Sequence, residues 1–186
     1  MKIEWGSESA RKFATNVGLT TSNGPHGYNI MATEWTHQLS YEPGLIAVCL
    51  RPQHATTVNI RKTKVFGVNI CADNHNVVSS VSGNSSGKEV DKIKVLEGLG
   101  VKFYKGKNID VMMVKGAAAN FECKVVKEIE LGDHIMFVGE VVDISVTDKE
   151  PLVLSHGKYW KLTESIQKPP KEVLDKIQKL SEKYKK

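Results

Sequence analysis

The sequence has 186 residues, of which 40% are hydrophobic and 25% are charged. These values are typical of a globular domain and exclude a disordered chain, a coiled coil and a collagen-like repeat. A chain of this length buries a sizeable core without disulfides or structural metals. No uncharged apolar stretch approaches the ~18 residues of a membrane helix, and the first residues form no apolar signal region. We therefore expect a cytoplasmic protein that does not associate with membranes.

The net charge of +5 is concentrated at the C-terminal end. Residues 168–186 contain seven lysines and three acidic residues, so they have a charge of +4 and leave +1 for residues 1–167. Nucleic-acid binding needs a cationic cluster on the folded body, and the body sequence offers none. We expect no nucleic-acid partner. The charge shift predicts a domain over 1–167 and a basic amphipathic helix over 168–186.

The three cysteines, Cys49, Cys71 and Cys123, lie in or beside apolar runs and form no CxxC pair. This pattern predicts free thiols in a reducing compartment and no metal site. Cys49 has an alternative role, because its run leads directly into the polar segment at Arg51. It is either a packing residue or part of a ligand pocket.

The predicted elements are mostly strands. A short helix is expected over 8–16, with Ser7 as its N-cap, and a short apolar run over 14–20 ends in a turn cluster. Apolar strands are predicted over 45–50 and 65–70, and a short apolar run over 111–114. Residues 117–126 and 134–146 predict an antiparallel hairpin, because inward apolar residues alternate with charged ones.

The remaining helices are predicted over 54–61, 74–81, 90–99 and 171–186. The last has an apolar stripe at helical spacing: Val173, Leu174, Ile177, Leu180 and Tyr184. We expect this stripe to dock on the body or on a partner subunit, since no Trp, Phe or lipidation signal accompanies it.

Many strands with few helices favour a mainly β protein, a closed or half-closed antiparallel barrel. Long helices do not alternate with strands, and no GxGxxG fingerprint is present, so a Rossmann sheet is disfavoured. Residues 83–89 lack the spacing and the Ser or Thr of a P-loop.

Polar loops are predicted between or beside these apolar runs, at 28–35, 38–40, 50–56, 68–69, 82–92, 132–134 and 156–159. Arg, Lys, Ser and Thr in such segments supply donors for a phosphate. A small residue such as Ala32 lets a planar ring approach backbone amides.

Landmarks within and beside these segments occur in a specific order. They are Thr20-Thr21, Asn29-x-Met31-Ala32, Ser40-x-x-Pro43, Thr56, Phe66-Gly67-Val68-Asn69, Ser86-Gly87-x-x-x-Asp91-Lys92, Glu122-Cys123-Lys124, Gly132-Asp133-His134, Gly139-Glu140-Val141 and Tyr159. In this order, over roughly residues 10–162, the chain resembles the flavin reductase-like family of the flavoredoxin and ferric reductase type. The resemblance implies an antiparallel split β-barrel of the FMN-binding type, followed here by the C-terminal helix.

The resemblance also implies FMN as the cofactor (with FAD possible) and NAD(P)H as the electron donor. Backbone donors of Asn29, Ile30, Met31, Ala32 and Thr33 would face the isoalloxazine edge, and Ser40 would lie beside the ring or ribityl chain. The phosphate side would be formed by Arg51, His54, Thr56, Ser86 and Lys92. Asn69 would bind the ribityl or pyrimidine end, His134 would act on the nicotinamide side, and His156 and Tyr159 would lie near the same mouth.

These implications predict a homodimeric NAD(P)H-dependent flavin reductase that moves a hydride to flavin N5. Its electrons would pass to an acceptor: free flavin, a ferric chelate, a disulfide or a partner oxygenase. The alternatives are a non-enzymatic FMN electron carrier and a binding protein that has lost the cofactor. The segment at Arg51-Pro52 and the tight polar loop from Gly83 to Lys88 depart from the family pattern. Of all the implied contacts with the cofactor, those with its phosphate are the ones that these departures concern most.

Overall fold

The strands of the computed structural model, which describes residues 3, 4 and 6–185, form three antiparallel sheets. In chain order they are β1 (Thr15–Asn16), β2 (Gly18–Ser22), β3 (Asn29–Thr33), β4 (Thr36–Tyr41), β5 (Gly44–Leu50), β6 (Val65–Ile70), β7 (Phe103–Lys105), β8 (Met112–Val114), β9 (Ala119–Leu131), β10 (His134–Val146), β11 (Val153–Ser155) and β12 (Lys158–Trp160). The helices are α1 (Glu8–Arg11), α2 (Ala55–Thr63), α3 (Asn76–Asn84), α4 (Lys92–Gly98) and α5 (Lys171–Lys183).

The main sheet has seven strands in the order β3-β2-β6-β9-β10-β5-β4. Its two edge strands approach each other where β3 turns into β4: Thr36 donates to the Thr33 carbonyl at 3.0 Å, and a Cβ on Gly18 would lie 2.8 Å from the Thr36 Cβ. The sheet therefore curls into a half-closed antiparallel barrel. The expected mainly β fold with a C-terminal helix is confirmed.

Two apolar clusters lie on opposite faces of the sheet. The barrel interior is filled by alternate residues of the long strands, including Val48, Phe66 and Phe137. The second cluster packs α3 and α4 against β2 and β3 through residues such as Leu19 and Leu96. This packing fixes the segment between α3 and α4 beside the free edge of β3.

The expected hairpin is the longest pairing in the protein, since β9 and β10 have 13 residues each. β9 continues to Leu131, beyond the expected end at 126. The register shifts between Val138 and Gly139. A Cβ on Gly139 would lie 2.6 Å from the Phe66 ring, so only glycine lets β10 pass the core there.

The N-terminal helix expected over 8–16 is shorter than predicted. It covers only Glu8–Arg11, although Ser7 is its N-cap and accepts a hydrogen bond from the Ala10 amide at 3.3 Å. Thr15 and Asn16 instead pair with Leu154 and Val153 of β11. Strand pairing with a distant segment outweighs the local helical pattern, because a short isolated helix is marginal in water.

The polar segments 28–35 and 38–40 were expected to be loops, but they contain strands β3 and β4. Both strands lie at edges of the main sheet. Inward polar groups of β3 are satisfied by neighbours, as in the 2.8 Å contact between the Thr20 and Thr33 hydroxyls. Strand β4 is mostly exposed, so neither strand shows the apolar alternation that identifies a strand in sequence.

The sequence predicts a solvated His75, but this side chain is buried at the start of α3. The sequence also predicts that Trp35 and Trp160 are core or interface residues. Both are about half exposed in the single chain, so they are not core residues, and their place in an interface stays a prediction.

Helix α5 follows an exposed segment over 161–170, and none of its described residues is buried. Within residues 3, 4 and 6–185, no helix combines the length and apolar character needed to cross a membrane.

Candidate functional site

A cavity of about 440 Å³ opens between β3, the start of α2 and the segment that joins α3 to α4. The predicted site residues that line it are Asn29, Met31, Ala32, His54, Thr56, Ser86 and Lys92. Thus three segments that are far apart in the sequence meet at one place.

The first residues of α2 form one end of the cavity. His54 is the N-cap of this helix but makes no side-chain capping hydrogen bond, so the first backbone N–H groups lack the usual cap. The His54 Nδ1 atom is buried and has no hydrogen-bond partner among the described residues. Bare amides at a helix N-terminus favour an anion, and His54 can add one further hydrogen bond.

The charges around His54 are positive. Burial lowers the pKa of His54, and the charges of Arg51, His134, Lys92 and Lys88 lower it further. The lowered pKa favours the neutral form of His54, and the cationic side chains of Arg51, Lys88 and Lys92 near it make this end of the cavity attractive to a negatively charged group.

Lys92 contributes a buried ammonium group. It begins α4, only 3% of it is exposed, and its Nζ donates to the Ser82 carbonyl at 3.0 Å. Burial lowers the pKa of Lys92 to about 8. An ammonium with so little solvent is stabilised by an anion in the cavity, and a phosphate supplies the missing negative charge.

Strand β3 forms one wall of the cavity, and the segment between α3 and α4 packs closely against it. Asn29 donates to the Thr56 hydroxyl at 2.8 Å, which ties β3 to the start of α2. Gly87 lies so close to Asn29 that a Cβ would collide with its side-chain amide, and a Cβ on Gly83 would lie 3.4 Å from the Ala32 Cβ. Small residues therefore keep this cleft narrow beside the backbone of β3.

A family model for the flavin reductase like domain matches residues 10–163. The chain belongs to the flavin reductase family. Two curated proteins of Archaeoglobus fulgidus, an uncharacterized protein and a ferric-chelate reductase (NAD(P)H), are each 32% identical, over 64% and 66% of this chain respectively. The matched segments span 66% and 69% of those relatives, so the chain spans about two thirds of their length.

Solved structures of this family share the fold. The flavin reductase PheA2 in its native state is 29% identical with a TM-score of 0.71, and the match covers 84% of this chain and 95% of that one. BorF, the flavin reductase component of a bacterial two-component tryptophan halogenase, is 25% identical with a TM-score of 0.72, over 83% of this chain and 94% of BorF.

The residues in the cavity of this flavin reductase family member fit a flavin mononucleotide. Its phosphate needs positive charge and hydrogen-bond donors, which the α2 N-terminus, Lys92 and Thr56 offer. The orphaned His54 Nδ1 atom gives a further polar partner. A planar ring needs a narrow cleft beside exposed backbone, which the free edge of β3 provides at Ala32.

The predicted catalytic residue His134 lies near His54, at one end of this cavity. Its neighbours there are Asp133, Trp35 and Arg51. Its ring lies 4.5 Å from the Trp35 ring, between centroids, at an angle of 44°. Its Nδ1 atom is 2.7 Å from the Asp133 carboxylate, whose pKa the His134 contact lowers. Arg51 approaches Asp133 at 3.8 Å. A fixed imidazole, an aromatic ring and a guanidinium therefore share one rim.

Other predicted site residues lie outside the cavity lining in the single chain. Ile30 is buried in the second apolar cluster, and the Thr33 hydroxyl contacts that of Thr20, so neither side chain lines the cavity. Ser40 lines a separate groove near the β4–β5 turn. Asn69 is fully buried, where it donates to the Leu19 carbonyl and accepts from the Val114 amide.

The last two predicted residues lie on the β11–β12 hairpin. His156 contacts the Ser155 hydroxyl at 2.9 Å and occupies the turn with a positive φ of 52°. The Tyr159 hydroxyl donates to Ser79 of α3 at 3.0 Å. Neither lines the cavity, and Tyr159 fixes the hairpin to the outer side of α3.

Eight residues that line the cavity are not among the predicted site residues: Gln53, Ala55, Ser82, Gly83, Asn84, Ser85, Gly87 and Lys88. Gln53 precedes the α2 N-cap and lines the opening. Ser82 lines the cavity and receives the Lys92 ammonium at its carbonyl. The signal for Gln53 was its place before a predicted helix, whereas a carbonyl that accepts from a distant lysine has no sequence signal.

The cysteines do not line this cavity. Burial raises the pKa of Cys71 and of Cys123 to about 12, with the Glu122 charge adding to the effect at Cys123. Burial also raises the pKa of the half-buried Cys49. All three are free thiols that stay protonated at pH 7, which is consistent with packing roles.

Proposed function

We propose that this protein is an FMN-binding, NAD(P)H-dependent flavin reductase. The observation that supports it most is the cavity that combines a bare helix N-terminus, the buried Lys92 and the free edge of β3. Bound flavin would accept a hydride at N5 from the nicotinamide and hold the electrons for an acceptor.

The residues of the cavity hold and orient the cofactor. Lys92, Thr56 and the first amides of α2 bind the phosphate, with Ser86 and His54 completing the shell. The free edge of β3, from Asn29 to Thr33, lies along the ring edge, where the backbone N–H groups that are not bonded to β2 stabilise negative charge that develops during reduction. FMN suits this site better than FAD, because the cationic groups converge on a single phosphate position.

His134 orients the nicotinamide. Its contact with Asp133 fixes the tautomer, since Nδ1 faces the carboxylate and leaves Nε2 for a substrate amide. Trp35 packs against the imidazole and limits its rotation. Hydride transfer depends on proximity and stacking more than on acid–base groups, so positioning is the contribution expected of this rim.

The proposed assembly is a homodimer in the cytoplasm. Ser40, His156 and Tyr159 lie away from the cavity of their own chain, and a second copy is the way in which they would approach a flavin. The free thiols suit a reducing compartment. The electron acceptor is free flavin, a ferric chelate, a disulfide or a partner oxygenase, in line with relatives named ferric-chelate reductase and halogenase component.

An absorption spectrum of the purified protein with FMN, titrated with NADH and then NADPH without oxygen, tests this function. We expect a bound flavin band that either nucleotide bleaches. A flavin band that stays oxidised would contradict the reductase and favour the electron carrier. The absence of any bound flavin at saturating FMN would contradict both.

A further inference from the structure

The C-terminal arm, residues 161–184, is an apolar surface that lacks cover in the described chain. Every one of these residues is exposed. The segment before α5 has no regular secondary structure and contains Leu162 and Ile166, of which Ile166 is 99% exposed. The stripe of α5 from Val173 to Leu180 is 43–49% exposed. A lone 13-residue helix is marginal in water, so this arm needs a surface to pack on.

The body of the protein has an apolar surface on which an apolar helix could pack. We call it the barrel groove: a cavity of about 400 Å³ at the end of the barrel near the β4–β5 turn. Its apolar wall consists of Leu45, Val68, Ile70, Phe121, Val141 and Ile144. An apolar cavity of about 150 Å³ holds one benzene, so the groove has room for two or three side chains of a docked helix.

The rim of the barrel groove is polar, and its lining contains no Asp, Glu, Lys or Arg among the described residues. Gln38, Ser40 and Tyr41 line one side, and Asn16 of β1 lines another. Exposed apolar residues continue outside it at Leu39 and Val146. This distribution, an apolar centre within a polar rim, is typical of a protein–protein interface.

We propose that the C-terminal arm of one chain occupies the barrel groove of a second copy, and that the exchange is reciprocal. The inference rests on the homodimer of the proposed function and names the segment that joins it. In the single chain the arm does not cover the groove. In a dimer with a two-fold axis, the arm of each chain would cover the groove of its partner. With 24 residues, the arm alone matches the 20–30 residues per side of a standard interface.

A lipid surface suits the arm less well. Helix α5 contains four lysines and three acidic residues, so the helix itself has a charge of only +1. Leu162 and Ile166 lie in a segment without regular secondary structure, and lipid would leave its backbone amides and carbonyls without hydrogen-bond partners. A protein groove accommodates both the helix and this irregular segment.

Cross-linking between differently tagged full-length chains tests the exchange. Both chains contain Cys49→Ser, which leaves the buried Cys71 and Cys123. One chain adds Ile177→Cys on the apolar stripe, and the other adds Ile144→Cys at the groove. After co-expression and a mild thiol oxidant, we expect a disulfide-linked heterodimer as the main product on a non-reducing gel. Asp175→Cys, on the opposite face of α5, is the matched control and should give at least fivefold less.

The solution mass of the unmodified chain separates the two proposals. A dimer without the Ile177–Ile144 cross-link would overturn the arm exchange and leave the homodimer standing. A monomer would overturn both. A single chain with both cysteines that closes internally, or wild-type protein that sediments with phosphatidylglycerol vesicles while Ile177→Asp does not, would also overturn the exchange.

Discussion

Lys92 is an ammonium group held in a nearly dry position, with one protein hydrogen bond at the Ser82 carbonyl. Lys92→Met keeps the volume and removes the charge. A hydrogen bond to a charged group contributes about 1.5–3 kcal/mol, so FMN affinity should fall roughly 10- to 100-fold. Fluorescence titration of FMN measures it, with the exposed Lys94→Met on the same helix as control. Equal affinities for the two variants would place the phosphate elsewhere.

The lowered pKa of Lys92 predicts how cofactor binding depends on pH. The free protein loses this proton near pH 8, and only the charged form attracts the phosphate. Above pH 7 the FMN phosphate is a dianion, so FMN affinity should fall roughly tenfold from pH 7 to pH 9 as Lys92 loses its proton. Riboflavin has the ring without the phosphate and should show no such fall. The same slope for both flavins would assign the effect to another group.

His134 offers a test of the nicotinamide rim. His134→Ala should lower the rate of hydride transfer by more than half and leave FMN affinity unchanged, because His134 lies outside the cavity lining. Anaerobic stopped-flow absorbance at the flavin band measures the rate. His26→Ala, at a histidine with no assigned role, is the control. An unchanged rate in His134→Ala would remove the proposed role.

The order of the landmark residues predicted several residues that line the cavity, but other residues predicted in the same way lie outside it. Asn29, Thr56 and Lys92 belong to segments with a clear polar signature and come together in space. Asn69 has a similar signature, but the structure uses its amide to tie β2 to β8. A polar side chain satisfied by backbone and one free for a ligand look the same in a sequence.

Strand β9 holds a neighbouring loop through a buried carboxylate. Glu122 accepts hydrogen bonds from the amides of Lys107, Asn108 and Ile109, at 2.7, 2.7 and 3.1 Å. Glu122→Gln replaces an accepting oxygen by a donating NH₂ group that faces those amides. We expect unfolding free energy to fall by about 2–4 kcal/mol.

Urea unfolding followed by tryptophan fluorescence measures that loss. The control is Glu140→Gln, at an exposed position of β10, which should change the stability by less than about 0.5 kcal/mol. Equal effects would show that the loop between β7 and β8 does not depend on the carboxylate.

Elements with an apolar alternation were predictable, and edge elements were not. β5, β6 and the β9–β10 hairpin have apolar residues where the barrel interior needs them. β3 and β4 derive their pairing from the closing barrel, so local residues give little sign of it. The short β11–β12 hairpin was also missed, because strands of three residues each are too short to show an apolar alternation.

For the whole molecule, the fold class followed from many strands with few helices, and the split-barrel type followed from the order of the landmarks. The orientation of the C-terminal helix did not follow, although its stripe was recognised. A helix that packs on no surface of its own chain depends on a second molecule. A single sequence does not show how many copies of the chain assemble.

The sheet of β1, β11 and β12 has a consequence for how the protein forms on the ribosome. Thr15 pairs with Leu154, so β1 has no strand partner until β11 has been synthesised. Contacts so distant in sequence also slow folding, because a long loop must close before they stabilise anything. The nascent chain therefore exposes Thr15 and its neighbours through most of elongation, and chaperone contact should concentrate at this N-terminal segment.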